Sequence, residues 1–288
     1  MINVLGIQLS RSSLMLITAC LLCLLLSCWY VLNRITTVPQ INLWPRWRNH
    51  HPNSIQTIDH QAFQDFLSHY VYQGIGGMNL VKYSKVSVED KLKLTHYLSQ
   101  LANISISQYN RQEQLAYWIN IYNALTIQLI LSHWPVKSIL KLHISPGFFS
   151  IGPWDAKLIT IEGQEITLND IEHRILRPIW HDARVHYALN CASMSCPQLQ
   201  AQAFTGENVE SLMTQAAKEY VNSPQGVTVT DKELILSQIY QWYQTDFGVD
   251  EQAVLRHIAQ FAKPELKKQL LTNQKPIRYH YEWQINGN

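Results

Sequence analysis

A basic cluster is missing from this chain. Its 23 Lys and Arg face 21 Asp and Glu, and with Arg11 and Arg34 set aside the remainder balances at 21 of each. A neutral domain without a Lys/Arg patch has no electrostatic footprint for nucleic acid, so that class of partner drops out. Internal repeats and low-complexity tracts are absent too. Cysteine is scarce: of five in the sequence, only Cys191 and Cys196 lie beyond residue 28. That pair and the scattered histidines lack the paired ligand spacing of zinc sites, so neither a metal nor a cofactor is expected. What is abundant is apolar surface, 47% of residues with nine Trp, enough for one large domain or two small ones.

Acidic residues are also missing before Thr36, and Leu14–Leu32 is a run of 19 residues without any charge. As a helix it suffices to cross a bilayer core of about 30 Å. Arg11 and the amino terminus precede it, which favours an N-terminus inside and a domain outside. A cleavable signal has an apolar region of about 7–15 residues, so the full run reads as an uncleaved transmembrane anchor over residues 1–32. The alternative is lipoprotein processing at LLSC, before Cys28, although the mature chain would then begin with the apolar CWYVL. Either form places the chain at a bacterial inner membrane with the domain facing the periplasm, where disulfides persist. Residues 33–56 carry three prolines and no clear period, so they read as a linker to a domain over residues 57–288.

Within that domain, Ile58, Ala62, Phe63, Phe66, Leu67 and Tyr70 fall on one helical face. Ser87 with Asp90 forms a capping pattern for a helix to about Ala102. Residues 110–132 read as a helix apolar on nearly every side, and therefore buried. KLITI and EIT flank Glu162-Gly163-Gln164 as a hairpin. Thr167 caps a helix from Leu168 to about Arg177, and RVHYAL reads as a strand. A helix near 207–221, a hairpin VTVT-DK-ELIL, two helices around Lys263-Pro264 and a last strand in IRYHYEW complete the pattern. Without a regular βαβ alternation the class is α+β: helices and short antiparallel hairpins around one core.

Polar residues on faces that should be buried are the functional signal. Glu172 sits inside the apolar stripe Leu168, Ile171, Ile175, Ile179, where a carboxylate must find a partner or a proton. The bland reading pairs it with Arg174, Arg177 or Arg184; the sharper one has it line a site with His186. On an α-helix the adjacent His173 points about 100° away. Asn120 and Asn123 share a face of the apolar helix, and buried amides must be hydrogen-bonded, whether to stitch the helix to a loop or to serve a site.

The stretch HYALNCASMSCPQL brings a histidine, two cysteines and small residues together. A catalytic thiol needs a histidine, a helix N-terminus or a metal to lower its pKa. If the chain stayed extended, His186 and Cys191 would be about 16 Å apart, so pairing them needs a fold-back near Asn190; His173 and His143 are the other possible bases. Ala192, Ser193 and Ser195 permit a loop whose N–H groups face an oxyanion. A Cys191–Cys196 disulfide is the competing reading, worth roughly 2 kcal/mol for so short a loop.

AYWINIYNALT, TLNDIEHRILRP, RVHYALNCASMSCPQL followed by AFTGENV, and LSQIYQWYQTDFG occur in that order. Together they resemble the family catalogued as domain of unknown function 547, over about residues 60–285. The resemblance implies signature positions at Asn120, Tyr122, Asn123, Glu172, His173, Arg177, His186, Asn190, Cys191, Ser195, Cys196 and Pro197. The terminal YEWQINGN looks like a decayed form of the family's Tyr-Asp-Trp ending and is assigned no role. By analogy, a buried helix packed on a histidine-bearing sheet is similar to papain-like or transglutaminase-like folds. There the nucleophile heads the helix, however, and Trp118 to Asn123 offer no cysteine.

The expected function is thiol-dependent hydrolysis or acyl transfer on an amide or peptide. Cys191 would be the nucleophile, His186 the base with His173 as an alternative one, Glu172 the orienting group, and Asn120 or Asn123 an oxyanion donor. The alternative is a non-catalytic periplasmic binding or scaffold module stapled by Cys191–Cys196. The topology has a direct check: a reporter fused after residue 288 is expected to be active outside the cytoplasm, and cytoplasmic activity would overturn the orientation. Palmitate labelling at Cys28 would separate the lipoprotein from the anchor.

Overall fold

The computed structural model of the chain describes residues 2–4, 7–9, 12, 15–22, 40–147 and 150–288. They divide into two units, residues 1–38 and 39–288. In the first, Ile2–Val4 pairs antiparallel with Ile7–Leu9, and residues 15–22 are helical. Among the described residues no helix is long and apolar enough to cross a membrane. Most of the Leu14–Leu32 run, and the Cys28 processing box, lie outside the described residues.

In the second unit, α1 (Gln61–Tyr70) leads into a hairpin of β1 (Val71–Gln73) and β2 (Asn79–Val81). Helices α2 (Val88–Ala102) and α3 (Arg111–Ser132) follow. Both begin where a cap satisfies an orphan N–H: Ser87 Oγ accepts from Asp90 N–H, and Asn110 Oδ1 from Glu113 N–H. The hairpin of β3 (Ile159–Ile161) and β4 (Gln164–Ile166) turns through Glu162 and Gly163, at φ of 47° and 74°. Positive φ at both central residues suits the twist of a two-residue turn.

Helix α4 opens as a wide π-helical stretch, Asp170–Leu176, and continues as the α-turn Arg177–Trp180. Thr167 and Asp170 cap it reciprocally. Beyond it come α5 (Val185–Ala188), α6 (Val209–Val221), β5 (Val227–Val229) and β6 (Leu234–Ser237). The remaining elements are α7 (Ile239–Trp242), α8 (Gln244–Phe247), α9 (Glu251–Phe261), α10 (Pro264–Leu271) and β7 (Ile277–His280).

The α+β class stands, with four corrections. RVHYAL is not a strand but the turn of helix α5, because Asp182 begins a local run of bonds: its C=O accepts from Val185 N–H and its carboxylate from Arg184 N–H. His186 therefore rides on a helix and not on a sheet, which removes the premise of the papain-like analogy. The last strand is parallel, not antiparallel, to its neighbour: β7 pairs with β6 in the register Leu234↔Ile277. The core has two parts: one surrounds α3, and an aromatic one joins Tyr187, Tyr220, Tyr240 and Phe247. Residues 40–56, read as a linker, instead lie on the domain. Trp44 N–H donates to Arg174 C=O, and buried Trp47 stacks edge-on against Trp118 at 5.1 Å.

Helix α3 is the hub, with nearly every side chain from Glu113 to Leu131 buried. A helix apolar all round can only live inside a core. Its few polar residues hold non-local backbone: Glu113 accepts from Ile58 N–H, and Gln114 donates to Asn49 and Ile106 carbonyls.

The chain end packs as a cover. Ile285 bridges Ser193, and Gly287 bridges Val81. A Cβ on Gly287 would collide with the Val81 carbonyl. Gly287→Ala is therefore expected to destabilise by about 1–3 kcal/mol in denaturant unfolding, the usual cost of overpacking; an unchanged midpoint would show that this contact is loose.

Candidate functional site

The loop after α5 has buried peptide groups and no strand neighbour for most of them, and such groups must be paired. Asn123 pairs two: its Nδ2 donates to Ala188 C=O at 2.9 Å and its Oδ1 accepts from Asn190 N–H at 2.8 Å. Asn120 holds Phe204 in the same way, at 2.7 and 3.1 Å. Both amides are thus engaged by backbone and stitch α3 to loops, a geometry that lends no support to the oxyanion-donor role expected of them.

Asn190 continues the lacing. Its Oδ1 accepts from Ala192 N–H at 3.0 Å and from Asn286 Nδ2 at 3.2 Å, and its Nδ2 donates to Pro197 C=O at 2.8 Å. Ala192 is buried in the left-handed region at φ 58°, a conformation that alanine holds only when its surroundings over-determine it. That strain lies directly after Cys191.

Cys191 and Cys196 are unbridged, the first partly exposed and the second buried. Cys191 N–H donates to Cys196 Sγ at 2.8 Å. The Cys191 sulfur lies 3.0 Å from Tyr281 Oη and 3.3 Å from Ser193 Oγ, and Ser193 in turn donates to Tyr281 at 2.9 Å. Burial pushes the Cys191 thiol up, but hydrogen bonds from Cys196, Ser193 and Tyr281 outweigh it and bring the group below its ordinary value. Cys196 moves the other way, raised by burial and by its neighbour's sulfur. The two neighbouring thiols are thus shifted in opposite directions.

Beside the sulfur lies a buried cluster of charges. His186 Nε2 meets Asp246 Oδ2 at 2.7 Å, and its Nδ1 faces Glu172 Oε1 at 3.3 Å, close enough for an ion pair but poorly aligned for a hydrogen bond. Arg177 grips Asp246 with two bonds, 2.6 and 3.0 Å. The two carboxylates thus share one permanent cation, Arg177, and a histidine held between them, the pairing that burial of charge demands. Burial pushes His186 down, but Asp246 and Glu172 reverse this and raise it above its ordinary value. Glu172 is pushed up by burial and brought to about 2 by His173, His186 and Arg177. Burial likewise raises Asp246, and His186 with Arg177 overrides it and holds the group well below the usual range.

The expected His186 base role toward Cys191 finds no support in this geometry, since both ring nitrogens face carboxylates. His173 is buried, and its Nδ1 sits 3.0 Å from Arg177 Nη1. A guanidinium only donates, so that nitrogen accepts and the ring is neutral. Burial lowers it to about 4. The π-helical widening explains why neighbours Glu172 and His173 are both buried, against the α-helical projection. His143 is exposed.

Sequence reasoning missed three contributors. Tyr243 stacks on His186 at 4.0 Å, Asp246 anchors it, and Tyr281 reaches Cys191. The first two were present in LSQIYQWYQTDFG, and Tyr281 belongs to the ending that was assigned no role. Among the described residues no three His, Cys, Asp or Glu side chains converge as metal ligands.

Residues 106–221 match the family model described as "Protein of unknown function, DUF547", so that domain is present, spanning α3 to α6 with Asn123, Glu172, His186 and Cys191. No curated protein and no solved structure matches the chain.

The charge cluster predicts a pH profile. His173, His60 and His257 are each lowered by burial to about 4. A histidine depressed in the folded state stabilises above its unfolded pKa near 6.5, and that contribution is lost as pH falls toward 4. Glu172 extends the acid loss from about 4.5 toward 2, whereas the raised His186 contributes below 6.5 and is lost as pH rises. His173→Gln should shrink the slope of unfolding free energy between pH 6.5 and 4 by up to about 1.4 kcal/mol per pH unit. Glu172→Ala should cost on the order of 3 kcal/mol at pH 7. A change within about 0.5 kcal/mol would mean that its partners rearrange without loss.

Proposed function

Taking the chain as the carrier of a DUF547 domain, we propose that it is a thiol-dependent enzyme of acyl transfer or hydrolysis, with Cys191 as nucleophile. The observation that supports this most is the hydroxyl nest around the sulfur: Tyr281 and Ser193 contact it, and Tyr122 and Tyr243 lie within electrostatic reach. Cys191 thiolate attacks the carbonyl carbon of an amide or ester, forming the C–S bond while the π pair moves to oxygen. Collapse of that oxyanion expels the leaving group, which takes a proton relayed through Tyr281 and Ser193 from water. Water or an amine then attacks the thioester and regenerates the thiol. In this reading Glu172, His186, Asp246 and Arg177 are positioning residues: they hold Tyr243, which stacks on His186, and Tyr122, whose hydroxyl lies 3.4 Å from Glu172 Oε2. The Leu14–Leu32 run supports placing the domain on the outer face of a bacterial inner membrane.

One observation favours a second reading. Cys191 N–H donates to Cys196 Sγ at 2.8 Å, which holds the two unbridged cysteines in one turn, so oxidation would close a bridge and leave a stapled, non-catalytic binding module.

Alkylation decides between them. Iodoacetamide near pH 7 is expected to modify Cys191 selectively in the unreduced native protein, with a rate that titrates below the ordinary thiol value of about 8.5. Tyr281→Phe should raise that midpoint by about one to two units, since a hydrogen bond to a charged group contributes about 1.5–3 kcal/mol. Resistance to alkylation until reduction would remove the thiol mechanism and leave the stapled module.

A further inference from the structure

A groove of about 980 Å³ lies between the β1–β2 hairpin, the loop from Cys196 to Gln202, α6 and the end of α9. One wall is a strand edge. Lys82 N–H bonds Tyr70 C=O and Gly74 N–H bonds Met78 C=O, which puts Tyr72 and Leu80 in a hydrogen-bonded pair. Val71 and Gln73, one position either side, must turn their peptide groups away from β2. The Val71 N–H is taken by Leu67 C=O at the end of α1. Val71 C=O and both peptide groups of Gln73 remain on an edge with no further strand among the described residues. Such a row is a template for another extended chain.

The opposite wall is built of amides around one carboxylate. Glu219 Oε2 accepts from Gln198 at 2.6 Å and Gln200 at 3.1 Å, and its Oε1 from Gln215 at 2.8 Å. A carboxylate can only accept, so it fixes the NH₂ end of each amide toward itself. The carbonyl ends of Gln200 and Gln215 are left to accept from an occupant. Gln198 is closed off, because its own oxygen accepts from Asn79 N–H at 2.8 Å, tying the hairpin to α6. Three N–H groups meet the charge of Glu219, Lys218 and Lys263 line the same groove, and Tyr72 and Phe261 add flat apolar surface.

We infer that this groove binds an extended polypeptide segment that adds a strand to β1. The edge offers acceptor, donor and acceptor at Val71 C=O, Gln73 N–H and Gln73 C=O, the repeat that a strand's own backbone complements. The Gln200 and Gln215 carbonyls face the same occupant and suit its remaining N–H groups. The inference does not rest on thiol chemistry, and Cys191 does not line the groove.

The test uses the full chain and fluorescein-labelled random heptapeptide pools, read by fluorescence anisotropy. At least one pool is expected to saturate below about 1 mM. The affinity should fall about tenfold or more when alternate peptide nitrogens of the probe are methylated, and also in Gln73→Pro, which deletes the edge donor at a strand position where proline is tolerated. Should Gln73→Pro fail to fold, Tyr72→Ala and Gln200→Leu carry the same test. Cys191→Ser should bind unchanged, which separates this site from the thiol. The inference is overturned if no pool saturates, if N-methylation and the groove variants leave affinity unaltered, or if chitohexaose binds and displaces the peptides, which would make the groove a glycan site.

Discussion

Everything around Cys191 depends on one side chain satisfying two peptide groups. Where the chain leaves α5 it turns through the interior, and water cannot reach Ala188 C=O or Asn190 N–H. A buried peptide group left unpaired costs about 1–3 kcal/mol. Asn123 answers both from the middle of α3. The helix that supplies it is immobilised because Trp118, Ile119, Ile121 and Leu125 are buried on its other sides. Hydrophobic burial thus sets where the amide stands, and the amide sets where the cysteine loop runs.

Charge and dipole have separate places in this interior. Glu172, Asp246, His186 and Arg177 face one another, and the price of burying them is met by mutual pairing. The arrangement leaves His186 poorly placed as a base for Cys191, because both of its ring nitrogens already face carboxylates. The Cys191 sulfur is left to hydroxyl dipoles, which stabilise a negative charge without fixing a counter-ion beside it. Such donors favour the ionised form of a thiol while lowering the intrinsic nucleophilicity of its sulfur.

Much of this was legible in the sequence. Glu172 betrays itself by interrupting an apolar stripe, and the amides of α3 by interrupting an apolar helix. Both are period-based signals that survive any tertiary detail. The failures share a cause in range. RVHYAL alternates like a strand, yet Asp182, two and three residues away from Arg184 and Val185, turns it into a helix through local capping. His173 was projected away on α-helical geometry, but the widened turn that carries the Arg177 N–H bond to Glu172 C=O brings both neighbours inside. Trp47 looked like part of a proline-rich linker because nothing local shows that Trp118, 71 positions on, will stack against it. Tyr243 and Asp246 sat inside a recognised motif and were passed over, since their partner His186 lies some 60 residues earlier.

Tyr281 is the extreme case of that range effect, and it says how the site is built. It meets Cys191 across 90 positions, and the segment around it is held by backbone bonds that it shares with the cysteine loop: Met194 N–H to Gln284 C=O, Ser195 N–H to Glu282 C=O and Asn286 N–H to Ala192 C=O. The left-handed Ala192 is pinned from both sides, by Asn190 Oδ1 at its N–H and by Asn286 N–H at its carbonyl. Loosening residues 281–288 would therefore remove a hydroxyl from the sulfur and release the strained turn in the same event. The lowered thiol pKa is then a property of the closed domain, which the isolated loop, lacking Tyr281 and Asn123 alike, has no means to reproduce.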